Sequence, residues 1–158
     1  MYSIRVFEQP GGSIAYSLKK LLAGDTNCGI FTGTDIEQSY CHSSFSLGII
    51  PPSKDRTFLH YSSGNFNTLL APGTLFPAES SIHASRVVSY GFSPRDSITL
   101  SSMSEEKIVL TIQRELFNLN GSILERQEIP IKNIGSPMDS LVIASAFLLL
   151  GTSPESLS

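Results

Sequence analysis

The chain has 158 residues, 41% of them hydrophobic and 16% charged, which is enough for one domain with its own core, and residues 1–158 read as a single domain. A net charge of -3, with 11 Lys and Arg scattered along the sequence, excludes the basic footprint of a nucleic-acid binder. Two cysteines, Cys28 and Cys41, are too few for a disulfide framework or a Cys-rich zinc site.

Tyr2 to Phe7 is a β-rich run that Glu8-Gln9-Pro10-Gly11-Gly12 cannot continue, and Ser13 is a favourable helix N-cap. Ile14, Leu18, Leu21 and Leu22 recur at helical spacing before Gly24. Cys28 to Thr32 is a second apolar strand, so the order predicts a βαβ unit with parallel strands and a right-handed crossover. From Gln38 to Asp55 the chain is Ser-rich and reads mostly as loop, with a short strand at Phe45 to Ile50. Thr57 to Tyr61 reads as a third strand stopped by Ser62-Ser63-Gly64-Asn65, Asn67 to Leu70 as a helical turn, and Arg86 to Tyr90 as a fourth strand ended by Gly91 and Pro94.

Ser97 to Ile131 reads as three antiparallel strands. Its clearest local signal is Asn120-Gly121 between two β-rich runs, the dipeptide of a type I′ turn. A two-residue turn would set Leu119 opposite Ser122, Phe117 opposite Leu124, Glu115 opposite Arg126, Gln113 opposite Glu128, Ile112 opposite Ile129 and Leu110 opposite Ile131. Asn120-Gly121-Ser122 is also a glycosylation triplet, explained as the turn itself.

Ser136 then fits an N-cap, Pro137 the first helical position, Asp139 the third, and Gly151 the C′ stop. The helix between them, residues 137–150, is apolar almost all round, but its roughly 14 residues fall short of the 18 or so that a membrane span needs, which makes it a buried core helix. Thr152-Ser153-Pro154-Glu155 looks like another helix start. The fold class is therefore α/β: a mostly parallel sheet of about four strands flanked by helices, an antiparallel three-stranded segment at 97–131, and a buried C-terminal helix at 137–150. With no basic run followed by an apolar core at its start, the sequence sets the expectation of a cytoplasmic protein that engages no membrane.

Several motifs in this order resemble the central domain of the Mur ligases, ATP-dependent amino-acid ligases of cell-wall synthesis. Val87-Val88-Ser89-Tyr90-Gly91-Phe92 is similar to that family's strand ending in a Tyr/Phe-Gly turn, Asp96 to Ser101 to its next strand, and Leu141 to Leu157 to its Ala-rich helix with a Gly-x-Ser-Pro-Glu start of the following one. Upstream, Val6-Phe7-Glu8 before Gly11-Gly12 is similar to a strand ending in a metal-binding Glu, Gly29 to Asp35 to a strand with a Thr-Asn-Ile turn, and Leu59 to Gly64 to a strand leading into an Asn-Ala-Asp-Asp turn. The family's phosphate loop is absent, since no G-x-x-x-x-G-K-[ST] occurs. Ser62-Ser63 replaces the Asp-Asp turn, Ile36 to His42 carries no Asp-His-Leu-Asp motif, and the C-terminal ligase domain has no counterpart. The resemblance implies a stand-alone, degenerate relative that kept the scaffold without the means to orient ATP, and no cofactor.

Ligands of open α/β sheets bind beyond the carboxyl ends of the parallel strands. That rule gathers Glu8, Gly11, Gly12 and Ser13, then Thr34 and Asp35, then Ser62, Ser63 and Asn65 as candidate ligand-binding residues. Gly11-Gly12-Ser13 is either an anion cradle at a helix N-terminus or a tight strand-to-helix turn. Glu8 and Asp35 together have the donor chemistry for a divalent cation, but no phosphate cradle supports one, so no metal is assigned. Cys41-His42 are adjacent in extended chain and point apart, His60 sits among apolar residues, Arg95-Asp96 reads as a turn with a local ion pair, and Glu115 and Arg126 read as a solvent-face pair. None of these is a complete catalytic constellation. The reading is a non-catalytic binding or protein-interaction module whose partner is a second copy or another protein. The alternative is one subunit of a split ligase whose phosphate loop comes from a partner chain.

Overall fold

In the computed structural model, residues 2–25, 27–32, 45–52, 63–74, 81–153 and 157 are described. The expected strand at Thr57 to Tyr61, the helix start at Pro154-Glu155, and Cys41, His42 and His60 lie outside these residues. Strand β1 (Tyr2–Val6) leads through helix α1 (Ser13–Leu21) to β2 (Cys28–Thr32), parallel to β1 as expected, with Ile4 opposite Ile30. On the other side of β1 lie β3 (Phe45–Ile49), β4 (Ser63–Pro72) and β5 (Ser81–Gly91), all parallel, so that Ile4, Leu47 and Thr68 stand in one row.

Strand β6 (Ile98–Met103) continues the parallel set, yet it meets β5 only at Tyr90–Ile98 and Gly91–Thr99. Beyond this short joint β7 (Lys107–Ile112) and β10 (Gln127–Lys132) run antiparallel, and among the described residues the sheet has eight strands in the order β10-β7-β6-β5-β4-β3-β1-β2. Six strands are thus parallel where about four were expected, and the antiparallel segment at 97–131 is its continuation. Strands β8 (Leu116–Phe117) and β9 (Ile123–Leu124) form a separate two-stranded ribbon.

Helix α2 (Pro137–Leu150) packs on α1 and on β4, β5, β6, β7 and β10, and every residue from Ser140 to Leu150 is buried. Pleat alternation aims Ile4, Val6, Leu47, Ile49, Leu70, Val88 and Tyr90 into the core shared with the helices. Leu69 and Ala71 point the other way, into a second cluster with Phe7, Ile50 and Ile82. Residues Thr68 to Ala71 are therefore buried on both faces, which is why they lack strand-like alternation. The helical turn expected at Asn67 to Leu70 is corrected to the middle of β4, because a short apolar run does not separate buried strand from helix.

The hairpin expectation is also corrected. Gly121 has φ +84°, but no non-glycine residue among those described has positive φ, so Asn120 cannot take the first inner position of a type I′ turn. Instead the Gly121 N–H donates to the Asn118 carbonyl at 3.0 Å and the Asn118 N–H donates to the Ser122 carbonyl at 3.0 Å, enclosing a three-residue loop. Tertiary contacts favour this loop: Leu119 is buried and its N–H donates to the Leu149 carbonyl of α2 at 2.8 Å, while Asn120 Oδ1 accepts from the Tyr2 hydroxyl at 2.5 Å.

The ribbon register is then Phe117 opposite Ile123 and Leu116 opposite Leu124. In the main sheet Leu110 faces Ile129 and Ile112 faces Gln127. Glu115 and Arg126 belong to neither ladder and both are exposed.

A candidate binding edge at the start of the two helices

Val6 ends β1 at the carboxyl edge of the sheet, and the chain turns at once: the Phe7 N–H donates to the Ile49 carbonyl and the Glu8 N–H to the Val6 carbonyl, both at 2.9 Å. Gly12, not the expected Ser13, is the N-cap of α1, with no side-chain cap bond of its own; Ser13 is the first helical residue. The N-terminal amides of α1 are instead served by Glu8, whose Oε1 accepts from the Ala15 N–H at 2.6 Å. Its carboxylate occupies the space beside Gly12 that a Cβ would fill, so this glycine is required for close approach. Burial raises the Glu8 pKa, the amides of Ala15 and Ile14 pull it back, and the charge of Asp139 raises it again.

Asp139 comes from the first turn of α2. Its N–H donates to the Ser136 Oγ cap at 3.1 Å and its Oδ2 accepts from Ser13 Oγ at 3.1 Å, so the starts of the two helices are joined. Beneath them the Tyr90 hydroxyl donates to the Ile50 carbonyl at 2.7 Å, and burial, assisted by Asp139, raises the phenol's pKa. On the joint between β5 and β6, Asp96 is buried against Gly73 and Gly91 and accepts from the Ser93 N–H at 3.2 Å, in place of the expected ion pair with Arg95.

Glu8, Gly11, Gly12 and Ser13 are thus together at the carboxyl edge. Ser63 and Asn65 are not with them. They open β4, where Ser63 pairs with Ser81 and Asn65 with His83, at the opposite edge of the sheet. Ser63, Gly64 and Asn65 were expected to stop a strand and instead begin one. Thr34, Asp35 and Ser62 lie outside the described residues. Sequence reasoning saw Asp139 as a cap and missed it as the partner of Ser13, because nothing local signals a contact between residues so far apart in the chain.

Among the described residues no three of His, Cys, Asp and Glu are arranged to hold a metal ion, and no helix is long and apolar enough to cross a membrane. The Cys28 thiol, half-buried and beside Asp25, is pushed up to about 11, which leaves almost no thiolate at neutral pH. No protein-family model and no curated protein matches the chain. At the far end of the molecule the ribbon presents a different surface. Phe117 and Ile123 are cross-strand partners with 43% and 55% of their surface exposed, and the Arg86 guanidinium lies 4.6 Å over the Phe117 ring.

Proposed function

We propose that this protein acts by binding another protein chain rather than by catalysis, as a cytoplasmic interaction module on a scaffold of Mur-ligase central-domain type. The Phe117–Ile123 pair carries this reading. Two large apolar side chains stand side by side in solvent on a ribbon whose other face is docked on α2, and an Arg is stacked on one of them. Aromatic and Arg side chains are the ones that dominate protein interfaces when covered. Held as they are, they lose little freedom on binding. A second copy of this chain is the partner argued for. The exposed pair is compact, one residue from each strand of the ribbon, and two copies meeting about a two-fold axis would cover the same pair on both.

The position of Glu8 supports the non-catalytic half of the proposal. In a split ligase this carboxylate would have to leave the amides of α1 to reach a metal, and the helix start would have to be free for phosphate. A net charge of -3, with Lys and Arg scattered along the sequence, likewise gives no support to nucleic acid as the partner.

Size-exclusion chromatography with light scattering tests the reading. The expected result is a dimer or larger species that becomes a monomer in the Phe117→Ser, Ile123→Ser double variant with an unchanged circular dichroism spectrum. A monomeric wild type with no copurifying chain overturns it and returns attention to the carboxyl edge around Glu8 and Ser13.

A further inference from the structure

Asn120 and Gly121 form the tip of the ribbon, and the tip is wired into the rest of the molecule in an unusual way. Asn120 is exposed, its Oδ1 accepts from the Tyr2 hydroxyl at 2.5 Å, and its Nδ2 lies against Gly151, the left-handed C-cap of α2. Three chain regions, the first strand, the ribbon and the end of the core helix, therefore meet at one side-chain amide. The following residue is a glycine, with φ +84° and open space where a Cβ would stand, so no side chain crowds the approach to the peptide nitrogen that follows Asn120.

We propose that Asn120 is a self-modification site, at which the side-chain amide is lost by cyclisation onto the Gly121 nitrogen with the Tyr2 hydroxyl promoting the attack. The Gly121 backbone nitrogen bonds to Asn120 Cγ. Negative charge develops on Oδ1, the atom that already accepts from Tyr2, so the phenol serves as an oxyanion donor. The Cγ–Nδ2 bond then breaks, and ammonia leaves with the proton that Gly121 gives up. Water opens the five-membered imide at one of its two carbonyls. Cleavage at the Cγ side leaves an aspartate, and cleavage at the backbone side leaves an isoaspartate whose main chain runs through Cβ.

What holds the reaction back in the folded chain is the Gly121 N–H bond to the Asn118 carbonyl, 3.0 Å long, in a ribbon of two residue pairs. Small units of this kind open well below the global unfolding free energy. Asn118 is an internal control. It is buried, its Oδ1 accepts from the Ser122 N–H at 2.9 Å, and a leucine follows it.

The consequence is a change of docking. Opening at the Cγ side places a carboxylate where Asn120 Nδ2 faced the carboxyl end of α2, the end at which the helix dipole disfavours negative charge, while opening at the backbone side frees the former backbone carboxyl and lengthens the main chain at the same tip. The ribbon is held there by the Leu119 N–H to Leu149 carbonyl bond, so modification loosens the surface that carries Phe117 and Ile123. The reaction is thus a slow, irreversible timer on that surface. Its chemistry is independent of the dimer reading, and it is measured on any folded sample whatever its oligomeric state.

The test incubates the whole protein in mildly alkaline buffer and follows the tryptic peptide Glu115–Arg126 by mass spectrometry. The expected result is progressive amide-to-acid conversion localised by fragment ions to Asn120 and not to Asn118, with isoaspartate detected by enzymatic methyl transfer to the new carboxyl. Tyr2→Phe keeps the ring and removes the donor, and is expected to slow conversion at least tenfold or so, less than the roughly 10²-fold lost when an enzyme gives up one oxyanion donor. Asn120→Asp, which carries the product charge from the start, is expected to melt at lower temperature than the wild type and to show no mass change on incubation. Conversion absent from the folded chain but present in the free peptide overturns the proposal, as does a Tyr2→Phe variant that converts as fast as the wild type.

Discussion

The two helices begin within hydrogen-bonding reach of each other, yet they are built on different terms. Helix α2 carries its own instructions: Ser136 caps the Asp139 N–H, Pro137 opens the first turn, Gly151 takes φ 80° at the end, and its buried residues fill the core between helix and sheet. Helix α1 has Gly12 at its N-cap and no cap of its own, buries only Ile14, Ala15 and Leu18, and borrows the Glu8 carboxylate from the preceding turn to satisfy its amides. Stability in α2 comes from apolar burial, which is insensitive to pH, whereas the start of α1 depends on an ionisable group held partly out of water. The Ser13–Asp139 bond couples the two.

The comparison is broken most strongly from the core side. Leu149 of α2 is fully buried, and Leu149→Ala is expected to destabilise by about 2–5 kcal/mol. Leu21 of α1 is 40% exposed, and Leu21→Ala is expected to cost well under half of that, nearer the roughly 0.5 kcal/mol of a surface change. Chemical denaturation of the pair decides it, and equal losses would mean that α1 is as much a part of the core as α2.

A smaller effect sharpens the contrast at the caps. Ser136→Ala removes a side-chain cap and is expected to cost about 1 kcal/mol, while Ser13→Ala removes an exposed hydroxyl from a helix that Glu8 already caps and is expected to stay within about 0.5 kcal/mol of the wild type. If the two thermal shifts are reversed, the assignment of Glu8 as the working cap of α1 fails.

The same division governs what could be read without coordinates. Helix α2 was legible to its last residue because Ser136, Pro137, Asp139 and Gly151 act within one turn of the backbone they cap, and β2 was legible as an isolated apolar run between a helix stop and a turn. The mostly parallel α/β class followed from the order of such segments. The strand register at 97–131 did not. Setting Leu110 opposite Ile131 and setting it opposite Ile129 differ by two residues, so both keep the same side chains on the core face, and hydrophobic pattern cannot choose between them. The choice is made by Leu119 and Asn120 reaching α2 and Tyr2, contacts that no local window contains. The candidate edge was half legible for the same reason. Glu8, Gly11, Gly12 and Ser13 follow a readable strand, whereas Ser63 and Asn65, whose polar and glycine-containing run reads as a turn, begin a strand, and Asp139 entered from the far end of the chain.

The finest distinction between the helices lies in their response to pH. The pKa of Glu8 is raised in the folded protein above the ordinary value of 4.5, chiefly by burial and to a lesser degree by Asp139. A group whose folded pKa is raised contributes stability that is fully present below its unfolded pKa and is lost as the pH rises through its folded pKa. Relative to Glu8→Gln, which keeps an oxygen for the Ala15 N–H and cannot ionise, the wild type is therefore expected to be at its best in acid. It should lose ground as the pH climbs from the ordinary carboxylate value through the raised one, and run parallel to the variant above that. Denaturant midpoints measured across this window give the difference directly. Adding Asp139→Asn should narrow the window without closing it, because burial is the larger cause and remains. A difference that stays flat across the window, or that grows in favour of the wild type as the pH rises, would show that the amides of Ile14 and Ala15 outweigh burial and that Glu8 is an ordinary low-pKa helix cap.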